Sequence, residues 1–261
     1  MTLNDRPLVH PDRKTVGFKP IKAWRHFRKL IADKEDTAQV FHIIEATKSK
    51  KSHQQAWDFV QSAEGQRLLE EAVDIPAALD DHTRWSDCGP DTVAAHYIRF
   101  IKREGLSAAG LVEESHRWLS AEDRLPDLTE WYFERLRDTH DLFHVLTGYG
   151  RDALGEQALL GFSYEQNHNP GILFIAYAGA REIFKATGTK APLYSAVNEG
   201  RKLGKAAHKL AHMDVEQVMR EDIDFVRERL NIGKPTVYRE CLAILEAEGH
   251  TEEQLLTPQA A

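Results

Sequence analysis

The segment from 140 to 156 contains the side chains best suited to bind a metal ion. His140, Asp141 and His144 are followed, after eleven intervening residues, by Glu156. Positions three or four apart on a helix share a face, so the two imidazoles and the Asp141 carboxylate can converge on one point. Two nitrogens and two or more oxygens suit zinc, iron or manganese.

Glu156 can join the other three ligands only if the chain turns back after the helix. An uninterrupted helix would carry it roughly 18 Å along the axis, at about 1.5 Å per residue. Gly148 and Gly150 provide a place to stop, because glycine takes positive φ at little cost. The pattern therefore predicts a metal site between two central helices.

The alternative interpretation is a pair of histidines on an ordinary polar helix face. Leu142, Phe143, Val145 and Leu146 surround the motif and indicate that its helix is largely buried. A buried carboxylate or imidazole needs a partner or a metal, which favours the metal site.

The elements that must position these residues are predicted to be helices. No stretch alternates with period two and β-branched enrichment, so we expect an all-α, single-domain fold. An extended arm at 1–20 and a tail at 250–261 would flank a helical domain at 21–249. Apolar periodicity and capping residues place helices near 21–31, 37–48, 53–62, 64–73, 90–105, 107–119, 127–146, 152–166, 172–185, 194–212, 214–230 and 235–248, with a short one opening at Pro76.

The pattern His-Asp-x-x-His, eleven residues, then Glu resembles the signature of the ubiquinone-biosynthesis family named as the fourth COQ protein. The flanks at 137–139, 146–148 and 155–159 are also similar, and weaker similarity runs from about 36 to 232.

This resemblance implies a polyprenylated benzoquinone precursor bound beside a divalent metal, with zinc expected first and iron or manganese as alternatives. It also implies a lyase or oxidoreductase role, replacing the ring C1 carboxyl by hydroxyl. A polyprenyl tail requires a long apolar cleft. We expect substrate contacts from Phe143, Tyr149, Phe162, Tyr164 and Phe174. No separate general acid or base can be assigned.

Two other functions compete with this one. The resemblance also allows a non-enzymatic, lipid-binding scaffold that organises a ubiquinone-biosynthesis complex, with a structural metal. A His-Asp metal phosphohydrolase would need further ligands, for which His116 and Asp214 or Asp222 are candidates. A second pair, His208 and His212, has no clear convergent carboxylate and is interpreted as a polar helix face.

Composition limits the setting and the partners. A net charge of −7 argues against nucleic-acid binding through phosphate neutralisation. Cys88 and Cys241 are isolated, which is typical of reduced intracellular thiols. Neither a signal nor a transit peptide is recognised, so we expect a cytoplasmic protein, peripheral at the inner membrane surface.

The partners expected are a prenyl lipid and other ubiquinone-biosynthesis proteins, with a homodimer possible. The basic amphipathic helix at 21–31 is interpreted as core-packed, with a membrane-surface helix as the alternative. Its apolar face should contain Ile21, Trp24, Phe27 and Ile31.

Overall fold

The computed structural model describes residues 3–13, 17–32, 38–118 and 124–250. Within these ranges the chain forms fifteen α-helices and no β-strand, which confirms the all-α prediction. The helices are α1 Pro20–Ala32, α2 Ala38–Ala46, α3 Lys50–Gln61, α4 Ala63–Glu71, α5 Ile75–Asp80, α6 Val93–Glu104, α7 Ala108–Trp118, α8 Leu128–Asp138, α9 His140–Thr147, α10 Ala153–Asn167, α11 Pro170–Thr187, α12 Leu193–Ala206, α13 Val215–Arg220, α14 Ile223–Arg229 and α15 Thr236–Ala247.

The helices group into two compact units, each assembled from three separate segments of the chain. The first unit contains Met1–Val16, Ser49–Leu146 and Lys209–Arg229, and the second contains Gly17–Lys48, Thr147–His208 and Leu230–Ala261. Neither unit is a continuous stretch of sequence, so the division is not visible as a linker or a change in composition.

The core of the first unit is aromatic and lies where α3 packs on α8. The rings of Phe59 and Trp131 stack with centroids 5.7 Å apart, and Tyr132 lies beside them. All three side chains are buried. Burying a side chain of this size contributes about 1.5–3 kcal/mol, so this cluster is a main source of stability for the unit.

The N-terminal arm is tied to the start of α8. The Leu128 N–H donates to the Pro7 carbonyl at 2.9 Å. Arg13 makes a two-pronged contact with the buried Asp127 carboxylate, at 2.6 and 2.7 Å, and Asp127 also accepts the Glu130 N–H as the cap of α8. The residues of the arm that the structure describes up to Arg13 are therefore part of the first unit.

The core of the second unit depends on close approach of α10 and α12. A methyl group at Gly200 would lie 2.1 Å from the Ala158 carbonyl oxygen, and one at Gly204 would lie 2.4 Å from that of Phe162. Glycine at these two positions lets the backbones pack in direct contact. A satellite cluster brings Phe27 of α1 against Ile43 and Ile175.

Helix α1 forms as predicted, but only part of the apolar face that was expected to pack on the core is buried. Ala23 and Phe27 are buried, whereas Ile21 and Trp24 are 70% and 53% exposed. The core contact of α1 is therefore narrower than its apolar stripe. The first residue of the helix predicted near 37–48 lies outside the described residues.

Two predicted helices in the second half of the chain and one before it have boundaries that were wrong. The helix expected at 194–212 ends at Ala206, because Ala207 is extended (ψ 148°) and the His208 N–H donates to the Leu230 carbonyl. The helix expected at 214–230 is split, because Asp222 forms an isolated β-bridge with Thr92. The same bridge precedes α6, which begins at Val93 rather than near Pro90.

Candidate metal centre

The predicted central helix is interrupted one residue before the motif. Helix α8 ends at Asp138, and Thr139 leaves helical geometry with φ −97° and ψ 6°. The Thr139 hydroxyl and the Thr139 N–H both donate to the Arg135 carbonyl, at 2.7 and 3.1 Å, so this carbonyl accepts two bonds at the break. The expectation of one continuous helix was therefore wrong, and His140 lies in the first turn of a new helix, α9.

Helix α9 brings three of the four predicted ligands together. One donor atom from each of His140, Asp141 and His144 lies within 4.8 Å of the others. The two imidazole rings are 5.1 Å apart and nearly perpendicular. Such an arrangement allows a nitrogen from each ring and an oxygen from the carboxylate to point to a common centre.

The chemistry and burial of this group fit a divalent metal. Asp141 is 8% exposed and His144 is 2% exposed, and Phe100 of α6 stacks on the His144 ring at 5.6 Å. A carboxylate in such surroundings requires compensation, and a cation held by two imidazoles supplies it. Nitrogen and oxygen donors without a thiolate suit zinc, iron or manganese.

An arginine from a distant part of the chain fixes the C-terminal end of α9. The Arg227 Nε donates to the Leu146 carbonyl at 2.9 Å, and its Nη2 donates to that of Val145 at 3.1 Å. These carbonyls have no partner within the helix, so the guanidinium stabilises the end of α9. Sequence reasoning missed Arg227, because it has no local motif and lies 81 residues from Leu146.

Glu156 lies in the first turn of α10, as predicted. Asp152 caps this helix by accepting the Leu154 and Gly155 N–H groups, and the Tyr238 hydroxyl bonds to the same carboxylate. The Glu156 carboxylate is 3.6 Å from the Arg151 guanidinium. Glu156 belongs to the second unit, and its place as the fourth ligand stays a prediction.

Gly148 adopts the left-handed conformation expected for the stop after the motif, with φ +78°. The hydroxyl of Tyr238, on α15, also accepts the Gly150 N–H at 3.0 Å and so holds the loop before α10 at Gly150. The stop at Gly148 was correctly predicted, whereas Gly150 does not have a positive φ and Tyr238 had no recognisable signal.

The five predicted substrate contacts occupy different environments. Phe143 is buried in α9, and Phe162 is buried in α10. Tyr149 packs edge-on to Tyr238, Tyr164 lies under the Arg201 guanidinium at 5.5 Å, and Phe174 packs on Phe27 at 4.8 Å. The last three therefore have structural ring contacts, and the roles of all five toward a substrate stay predictions.

The residues nominated for other sites lie elsewhere. Asp214 caps α13 and bonds to Arg67 at 3.0 Å, and Asp222 caps the start of α14. His212 lies in a short 3-10 turn with its ring stacked on Phe59 at 4.4 Å. In the described part of the chain, the group around α9 includes neither these residues nor His116.

None of the helices in the described ranges is long and apolar enough to cross a bilayer.

Comparison with known proteins shows the family. Residues 29–236 match the model described as Coenzyme Q (ubiquinone) biosynthesis protein Coq4. The chain is 23% identical over 198 residues to the Aspergillus clavatus protein named "Ubiquinone biosynthesis protein coq4, mitochondrial", covering 75% of this chain and 66% of that protein. A relative of the same name from Penicillium rubens is 23% identical over 192 residues, covering 73% and 64%. The chain thus spans slightly less than two thirds of these relatives.

The fold is also known from a crystal structure of a candidate ubiquinone biosynthesis protein from Nostoc punctiforme. The two share 20% identity and a TM-score of 0.61, over 84% of this chain and 100% of the other. At this identity the likeness concerns the fold. Because the family model covers most of the helical body, including α9 and the start of α10, the chain belongs to the Coq4 family of ubiquinone biosynthesis proteins.

Proposed function

We propose that this chain is a metal-dependent enzyme of ubiquinone biosynthesis that replaces the ring C1 carboxyl of a polyprenylated benzoquinone precursor by hydroxyl. The observation that carries the proposal is the convergence of His140, Asp141 and His144 on a buried helix. Family membership supplies the substrate class.

The ligand residues have defined tasks in this proposal. His140 and His144 would each offer a ring nitrogen, Asp141 an oxygen, and Glu156 the fourth donor. A divalent metal held there supplies a Lewis acid that polarises a carboxylate or phenolate oxygen. Phe100, stacked on His144, limits the motion of that ring and keeps water from one side of it.

The proposed reaction is an oxidation. The bond between the ring carbon and the carboxyl carbon breaks, carbon dioxide leaves, and a carbon–oxygen bond forms in its place. The aromatic substrate loses two electrons in total, so an oxidant is required. We propose dioxygen, which accepts the two electrons and leaves as hydrogen peroxide, while water supplies the oxygen of the new hydroxyl. The prenyl tail would lie along apolar side chains, with Phe143, Tyr149, Phe162, Tyr164 and Phe174 as the predicted contacts.

The ligand set is tested by metal content. We expect one metal per chain in wild type purified without a metal-binding tag, and weakened binding in His144→Ala and Glu156→Ala. The loss should exceed the roughly 10–100-fold that removing an outer partner of a metal ligand costs. His208→Ala is the matched control and should keep its metal. Full metal content in His144→Ala would contradict the assignment.

The reaction is tested with a short-tailed prenylated hydroxybenzoate. Carbon dioxide and the hydroxylated ring should appear together with wild type under air and should be absent with His144→Ala. A metal-loaded wild type that releases neither product, yet binds the compound, would favour the scaffold function instead.

The scaffold alternative is supported by an exposed surface formed by α1 and by Phe18, two residues before it. Phe18, Ile21 and Trp24 are 61%, 70% and 53% exposed. Residues 17–32 contain five lysines and arginines and no acidic residue. Basic and aromatic side chains together suit the interface of an anionic membrane, so we propose peripheral attachment there.

Vesicle flotation tests this attachment. Wild type should float with vesicles rich in phosphatidylglycerol and less with pure phosphatidylcholine. The double variant Ile21→Ser, Trp24→Ser should lose most of the binding. Phe225→Ser removes an equally exposed aromatic from the first unit and serves as the control. Equal flotation of the double variant and wild type would rule out this surface.

Other ubiquinone-biosynthesis proteins are the partners that we propose for the scaffold and the enzyme alike. A homodimer stays a prediction.

A further inference from the structure

The hydroxyl of Tyr97 is an unexplained polar group in the core of the first unit. Tyr97 lies on α6 and is fully buried. Its hydroxyl has no hydrogen-bond partner among the residues that the structure describes. A buried donor without a partner costs free energy, so such a group in a well-packed core points to a partner that binds from outside.

The packing of α6 on α9 locates this hydroxyl beside the metal ligands. Phe100, one turn after Tyr97, stacks on the ring of His144 with an interplanar angle of 23°. Asp141 lies one turn before His144 on α9, and residues three apart share a helix face. The row Tyr97–Phe100 therefore faces the row Asp141–His144.

Two carboxylates act electrostatically on the Tyr97 hydroxyl, those of Asp141 and Asp80. Asp80 already accepts the Ala108 and Ala109 N–H groups, both at 2.8 Å, and so caps α7. Asp141 is a predicted metal ligand. Neither of these carboxylates forms a hydrogen bond with Tyr97.

Tyr97 is a proton donor in these surroundings. Burial raises the pKa of its phenol, and the negative charges of Asp141 and Asp80 raise it further. The group therefore stays protonated at neutral pH and prefers an acceptor with negative charge.

We propose that the Tyr97 hydroxyl donates a hydrogen bond to an anionic oxygen of the ligand bound at the His140–Asp141–His144 centre. The oxygen belongs to a ring carboxylate or phenolate, and Tyr97 selects such a head group over a neutral one. This inference rests on the proposed function, because it requires a metal and a substrate at that centre.

The test uses Tyr97→Phe, which removes only the oxygen. Metal affinity is measured first, and then binding of 4-hydroxybenzoate to the zinc-loaded protein by calorimetry. We expect unchanged metal affinity and roughly tenfold weaker binding of 4-hydroxybenzoate, since one hydrogen bond to a charged group is lost. Benzyl alcohol, a neutral probe, should bind the two proteins equally.

Tyr132→Phe is the matched control. Tyr132 is also buried in the first unit, but its hydroxyl accepts a hydrogen bond from Gln55 at 2.9 Å. This variant should bind 4-hydroxybenzoate as wild type does. Thermal unfolding of the metal-free proteins is the second readout. Tyr97→Phe should be at least as stable as wild type, because it loses no bond, whereas Tyr132→Phe should be less stable.

The failures are distinguishable. If wild type binds metal and 4-hydroxybenzoate but Tyr97→Phe binds both equally well, the inference about Tyr97 is overturned and the proposed function stands. Loss of metal from Tyr97→Phe would also overturn it, since the hydroxyl would then be supporting Asp141. If zinc-loaded wild type binds no 4-hydroxybenzoate, the proposed function fails together with the inference.

Discussion

His212 illustrates how burial sets the charge of a single residue. Its ring is stacked on Phe59, and burial lowers its pKa to about 4, with the positive charges of Lys209 and Arg135 contributing. The histidine is therefore neutral at pH 7 in the folded protein. The sequence predicts a polar helix face for the pair His208 and His212, whereas the helix ends at Ala206 and the His212 ring lies against an aromatic core.

This pKa shift predicts a pH dependence of stability. An unfolded histidine titrates near about 6.5, so between pH 6.5 and 4 the unfolded chain binds more protons than the folded one. Stability contributed by neutral His212 is therefore present above pH 6.5 and is lost as the pH falls toward 4. The urea midpoint of wild type should fall in this window more steeply than that of His212→Phe.

Above about pH 7 the two proteins should show parallel pH profiles, which provides an internal control. Identical slopes below pH 6.5 would mean that His212 is protonated in the folded state, which its contact with Phe59 does not accommodate.

Helix α9 shows what can and cannot be read from sequence at the scale of an element. The positions of His140, Asp141 and His144 on one face follow from helical periodicity, which is local. The break at Thr139 lies in its backbone angles, which leave the helix although its hydroxyl and its N–H both bond to the Arg135 carbonyl, and the apolar pattern carries no sign of it. The clamp by Arg227 depends on a contact across 81 residues, and periodicity carries no information about such a contact.

The clamp by Arg227 leads to a prediction. Arg227→Met keeps the length of the side chain and removes both bonds to the carbonyls of α9. We expect the free energy of unfolding to fall by about 1–3 kcal/mol, and metal affinity to fall with it. Arg181→Met is the control, since the Arg181 guanidinium is exposed and its contact with Glu182 is 3.7 Å. Urea unfolding of both variants decides the matter.

The contact between α10 and α12 gives a second prediction at this scale. Gly200→Ala would place a methyl 2.1 Å from the Ala158 carbonyl oxygen, and the helices would have to separate. Overpacking of this kind costs about 1–3 kcal/mol, so the melting temperature should fall. Gly89→Ala meets no atom within 4 Å and should leave the melting temperature unchanged. Equal melting temperatures of Gly200→Ala and wild type would show that α10 and α12 can separate without loss of stability.

At the scale of the whole molecule, charge is distributed unevenly. The chain carries −7, and residues 17–32 carry +5 from lysine and arginine, so the remainder carries −12. An anionic surface attracts the first region and repels the rest, which would orient the protein with α1 toward the surface.

Vesicle binding should therefore depend on salt. Raising ionic strength from about 0.05 to about 0.5 M shortens the Debye length from over 10 Å to a few Å. Flotation with phosphatidylglycerol vesicles should decrease strongly over this range, while flotation through apolar contacts alone would not. Salt-independent binding would contradict orientation by charge and leave Ile21 and Trp24 as the attachment.

The all-α class and most helix positions could be predicted because each helix has its own apolar stripe and caps. The division into two units could not, because each unit joins segments distant in sequence. For the site, the three ligands on α9 follow from spacing. Tyr97 and Phe100 could not be assigned to it, since only the packing of α6 on α9 brings them near.

That division affects how the protein is made on the ribosome. The first unit needs Lys209–Arg229 and the second needs residues after Leu230. Neither unit can be completed when only the first two hundred residues have left the exit tunnel. Most helices of both units have emerged by then. During that interval the face of α6 that packs on α13 and α14 and the face of α12 that packs on α15 stay uncovered. Nascent chains therefore have a long period of exposure to chaperones and to aggregation. A translational stop near residue 208 would leave both units unfinished.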